Sequence, residues 1–144
     1  MIAADIPAKF PIPFAQNATV GYVREVPETP TVEDGAASLE LGFPPDTFTP
    51  TGAGGTPPFG QDMNGIMRQI TATARWLTAG GPVRYDATFQ TDIGGYPQGA
   101  LVMSATTLGL WWLSTTDNNV TNPDAAGAGW LMHRPGNTFA VSTG

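Results

Sequence analysis

A chain of 144 residues is long enough for one modest domain with an appendage. Six basic residues scattered over a chain of net charge −6 cannot build a phosphate-binding stripe, and the lack of cysteine excludes a disulfide framework and thiolate chemistry. The 18 Gly and 14 Pro make roughly a fifth of the residues, against 12% charged and 41% hydrophobic, which suits extended segments and tight turns rather than disorder.

Residues 1–58 carry prolines at 7, 11, 13, 27, 30, 44, 45, 50, 57 and 58, too closely spaced for a useful helix, so they are expected to form an extended arm. Phe10, Ile12 and Phe14, separated by prolines, follow a polyproline-like or edge-strand path that cannot bury itself, so they are expected to dock in a groove. Residues 22–26, which begin at Tyr22, alternate apolar and polar as a short strand would, and residues 36–41 read as a brief strand or a turn of helix. Up to Pro50, seven carboxylates face only Lys9 and Arg24, which suits a solvated arm or one that meets a basic partner. No basic region followed by an apolar run marks a signal peptide, and no apolar stretch approaches the ~18 residues of a membrane span.

The Gly-rich residues 51–56 read as a hinge. No Lys-Ser/Thr follows them and no strand precedes them, so they do not form a phosphate cradle. Next comes an amphipathic helix over residues 61–79, within a segment assigned as 59–81. Pro57 and Pro58 bar helix upstream, Gln61 or Asp62 can serve the first N–H groups, and Gly80-Gly81-Pro82 stops it. Met63, Ile66, Met67, Ile70, Ala74 and Leu77 lie on one stripe. That stripe either covers the chain's own sheet or packs on copies of itself. Its two and a half heptads are fewer than a coiled coil needs by pattern alone. Gly65 in the first turns costs roughly 1 kcal/mol relative to Ala, which points to a close approach that excludes a side chain.

From residue 82 to 133 the period changes to two. Residues 83–89, 96–103, 109–114 and 129–133 are expected as four strands of a small antiparallel β-unit with an aromatic core, followed by a tail over 134–144. The fold class expected is therefore α+β. Trp111 and Trp112 are adjacent, so in a strand one points inward and the other outward, where an exposed aromatic either meets a partner or is covered by the helix or arm.

Little in the chain supports catalysis. The single histidine, His133, has no Ser/Asp pair placed with it. Asp117, Asn118, Asn119, Asn122 and Asp124 offer oxygens but lack the Gly-centred calcium loop and its terminal Glu, and Asx-turn chemistry is the plainer account. No carboxylate pair stands out for glycoside hydrolysis. The expectation is a non-enzyme without cofactor or metal.

The strings FPIPFAQNA, DGAASLELGFPPDTFTP, GGTPPFGQDMNGIMRQIT, WLTAGGPVRYDATFQTDIGGYPQGALV and GLWWLSTTDNNVTNPDAAGAGW resemble the N-terminal virion-attachment region of tail fibre proteins of bacteriophages and prophages. The resemblance covers residues 10–130. It implies a structural protein of the virion tail or baseplate, assembled in the host cytoplasm, with other tail or fibre proteins as partners. It also implies a homotrimer, for which the helix stripe would serve as the seam, and an arm that docks on the tail through Phe10, Ile12, Phe14 and Tyr22. A receptor-binding portion would follow in such proteins. The chain ends at Gly144, so a short attachment or adaptor protein is expected. Tyr96, Trp111, Trp112 and Trp130 are also similar to positions of small chitin- or cellulose-binding β-modules, the alternative being a module that stacks aromatic plates on host surface glycan.

Overall fold

The computed structural model describes residue 2 and residues 5–133; the expected tail, residues 134–144, lies outside them. The chain is α+β, with one long helix and a three-stranded antiparallel sheet. Its contacts divide it into two compact units, Met1–Gly81 and Pro82–Gly144.

In the first unit the arm is wound rather than extended. Gln16 N–H donates to the Pro13 carbonyl, Ala18 to Ala15 and Tyr22 to Thr19, at 3.0–3.3 Å, so single turns follow one another where prolines forbid helix. The strand expected over residues 22–26 does not form, because Arg24 N–H donates to the Gln61 carbonyl (3.1 Å) at the start of the helix and not to a neighbouring strand. Residues 36–41 make a tight turn that bridges Ser38 and Gly42. The expected hinge is a closed loop instead. It holds a 3-10 turn, Thr51–Ala53, with Gly55 N–H on the Pro50 carbonyl (3.2 Å) and Thr56 N–H on the Asp46 carbonyl (3.2 Å).

Helix α1 spans Gly60–Thr78, within one residue of the expected bounds. It ends as its sequence dictates. Gly80, at φ +81°, donates to the Leu77 carbonyl (3.0 Å) and Gly81 to that of Trp76 (2.9 Å), and Pro82 cannot continue the turn. The start differs from expectation, since Phe59 is the N-cap and no side chain caps the helix. Asp62 is drawn instead into a buried ion pair described below.

In the second unit, residues 83–89 are not a strand. Asp86 caps a short helix, α2 (Ala87–Asp92), accepting from Thr88 N–H (2.8 Å) and Phe89 N–H (3.1 Å), which is the stronger local preference of an Asp ahead of a turn. Among the described residues three strands remain, β1 (Leu101–Met103), β2 (Trp111–Ser114) and β3 (Trp130–His133), paired in that order as a meander. Tyr96, expected in the second strand, lies outside β1 and makes an isolated bridge to Asn119. One sheet face packs Val102, Trp112 and Trp130 against Tyr85 and Tyr96, with Tyr96 5.8 Å from Tyr85 and 5.7 Å from Trp130 between ring centres. Gln90 ties this core together, donating to the carbonyls of Asn119 (2.9 Å) and Thr121 (3.1 Å) and accepting from the Tyr85 hydroxyl (2.8 Å).

Candidate interaction surface

The arm and α1 meet through polar groups. Phe14 N–H donates to Thr71 Oγ1 (2.8 Å), Asn64 Nδ2 donates to the Tyr22 carbonyl (2.8 Å), and Arg24 sits over the first turn. From Phe14 to Arg24 the arm thus runs antiparallel to the helix from Thr71 back to Gln61.

The fastening point is Asp62. Its carboxylate has no exposed surface and accepts from Arg24 Nε (2.6 Å), Arg24 Nη2 (2.7 Å) and Ala37 N–H (2.8 Å). Arg24 also pairs with Glu33 and lies 5.2 Å over the Phe59 ring. The Asp62 hydrogen bonds, more than any other influence, raise the Arg24 pKa above its ordinary value. At this crossing a Cβ on Gly65 would stand 1.8 Å from the Arg24 carbonyl oxygen, which is the close approach its sequence position suggested.

At about 100° per residue, Gln61, Gly65, Arg68 and Ala72 fall on the arm's side of α1, and Met63, Met67, Ile70, Ala74 and Leu77 fall on the opposite side. The structure leaves this stripe largely in solvent: Met63 is 47% exposed, Ile70 57% and Leu77 51%, with Met67 also exposed and Ile66 and Ala74 half-buried. The fully buried helix residues are Asp62 and Thr71. A helix in a monomeric globule buries its apolar stripe and solvates its polar face; in α1 the buried residues are polar and most of the apolar stripe is exposed. The sequence revealed the stripe and the Gly65 contact, but not the Asp62, Asn64 and Thr71 anchors, whose partners are remote in the chain.

The four arm residues expected to dock on a tail partner keep their side chains outward. Phe10, Ile12, Phe14 and Tyr22 are all exposed, and where Phe14 and Tyr22 engage α1 they do so through their backbone.

The four aromatics considered for glycan do not share a face. Tyr96 is buried in the core, and Trp112 and Trp130 pack on it with their indole N–H groups held by Asp124 Oδ1 (2.8 Å) and the Thr121 carbonyl (3.0 Å). Trp111 pairs with Met103 and His133 on the other sheet face. Asp124 also accepts from Ala105 N–H (2.8 Å). Burial works to raise its pKa, but hydrogen bonds from Ser104, Trp112, Ala105 and Thr106 outweigh it and hold the carboxyl below its ordinary value. Asp117, Asn119 and Asn122 likewise accept from nearby loop groups. Among the described residues no group of three or more His, Asp or Glu is placed to hold a metal, and no helix is long and apolar enough to cross a membrane. Set beside known proteins, the chain matches no family model, and no curated protein matches it.

Proposed function

We propose that this chain is a structural attachment or adaptor protein of a bacteriophage tail, acting by binding rather than catalysis and assembling with copies of itself along α1. The observation that carries the self-association is the inverted helix. Its polar face is fastened to its own arm while Met63, Met67, Ile70 and Leu77 stand in water on the opposite face. Met63, Ile70 and Leu77 are seven residues apart, the spacing that keeps a seam facing a partner helix, and a trimer is the assembly that the sequence resemblance implies. The same resemblance supports a tail or baseplate location in the virion and other tail proteins as partners.

Light scattering at several concentrations tests this reading. The expected species has a mass near three times 15.1 kDa. Ile70→Asp places a charge in the seam and should return the mass to that of one chain with the helix content retained. A wild-type chain that stays monomeric, or an Ile70→Asp variant that stays assembled, would remove the seam.

A further inference from the structure

Residues 30–48 of the first unit enclose an open groove of about 630 Å³. Its walls are fixed by short-range backbone bonds: Ala36 N–H to the Glu33 carbonyl (3.2 Å), Ser38 and Gly42 to each other (2.9–3.0 Å), and Thr47 N–H to the Pro44 carbonyl (3.0 Å). Behind it, Gly35 packs so closely on the Pro57 carbonyl that a Cβ would lie 2.4 Å from that oxygen. The lining is apolar through Val32, Leu41, Phe43 and Phe48, of which Phe48 is 80% exposed.

Charge selects the occupant. Asp34 and Asp46 lie in the lining, and among the described residues no basic side chain does. Arg24 is committed to Asp62 and Glu33. Glu28 and Glu40 add negative charge nearby, held together by Glu40 N–H on the Glu28 carbonyl (3.0 Å). Nucleic acid is repelled by such a surface, and a segment that combines a cation with apolar side chains fits it.

The chain itself carries such a segment. Residues 6–12, Ile-Pro-Ala-Lys-Phe-Pro-Ile, hold Lys9, the only basic residue besides Arg24 before Arg68. Ile6, Phe10 and Ile12 are exposed, and the backbone of this stretch has no hydrogen-bond partner among the described residues. Pro7 and Pro11 within it and Pro13 beside it restrict its backbone, so docking costs little entropy. We propose that residues 6–12 of one copy lie in the groove of a neighbouring copy, with Lys9 against Asp34 and Asp46 and with Phe10 and Ile12 on Leu41 and Phe48. This rests on the self-association reading and adds a second contact between copies, separate from the helix seam.

The test is zero-length carbodiimide cross-linking of an assembly formed by mixing ordinary and 15N-labelled full-length chains, followed by mass spectrometry of the linked peptides. Expected are links from Lys9 to Asp34 or Asp46 that join one light and one heavy peptide, and their loss in Phe48→Ser. Lys9→Glu should also loosen the assembly, with Asp46→Lys restoring it. Links confined to peptides of one isotope, links from Lys9 to acids throughout the chain, or mixed links unchanged by Phe48→Ser would each overturn the inference. Light scattering on the same sample separates the two readings. An assembled chain without mixed links discards the groove and keeps the helix seam, whereas a monomeric chain discards self-association itself.

Discussion

Asp62 and Asp124 are two carboxylates held for structure, each by several donors, and their consequences differ. Asp62 is fully buried and its charge is matched by a two-pronged guanidinium contact. Such a pair adds little net stability, yet removing one partner costs about 3–5 kcal/mol because the other is left buried and unmatched. It therefore fixes where the arm lies more than how stable the unit is. Asp124 carries a pH dependence. Its pKa is lowered in the fold from the ordinary 3.8, so its ionised form is favoured by folding. That contribution is present above the ordinary value and is lost as pH falls through the folded value below it. Tryptophan emission followed through a denaturant titration should thus show the β-unit weakening below about pH 4. Asp124→Asn should lower its stability at pH 7 and flatten the acid dependence; an unchanged slope would show that Asp124 does not contribute it.

Among the elements, α1 was the most legible in the sequence, and physical reasons account for the contrast with its neighbours. Its bounds follow from local chemistry, Pro57-Pro58 on one side and Gly80-Gly81-Pro82 on the other, and both act within a few residues. Residues 83–89 alternate apolar and polar as a strand would, but the Asp86 cap outweighs that alternation and α2 forms. The prolines of the arm suggest an extended path, but prolines exclude helix without excluding a run of turns. Gly65 is the one place where a local peculiarity exposed a remote contact. Gly65→Ala raises helix propensity by roughly 1 kcal/mol, but it drives a methyl group into the Arg24 carbonyl, backbone against side chain with no rotamer to yield. The clash should win. Far-UV circular dichroism is expected to keep or gain helix signal while the Ala37 amide, hydrogen-bonded to Asp62, loses its protection from hydrogen exchange. Retained protection at Ala37 would show that the arm accommodates the methyl.

At the scale of the whole molecule, each of the two units has its own means of staying folded. The first has few buried apolar residues, Val26, Ala36 and Ala37 among them, and relies on the polar anchors between arm and helix. The second has an aromatic core threaded by Gln90. They should respond separately to damage. Gln90→Ala leaves the buried Tyr85 hydroxyl without its acceptor, while the Asn119 and Thr121 carbonyls keep Tyr96 N–H and the Trp130 indole; it should cost about 1–3 kcal/mol in the tryptophan-reported transition, with the amide protection of Ala37 unchanged. A parallel loss at Ala37 would mean that the units unfold as one.

The antiparallel course of the arm along α1 has a mechanical meaning. Ten residues separate Phe14 from Arg24, and they cover the ten helical residues between Thr71 and Gln61, about 15 Å of axis. Drawn straight, the same ten residues would reach about 33 Å. The fold therefore stores more than half of that length as slack, reeled in along the helix. A pull on the N-terminus would first meet the lone bond from Phe14 to Thr71, then the Tyr22 contact, and only last the clamp of Arg24 on Asp62. The chain is built as a line that pays out in steps before its anchor is loaded.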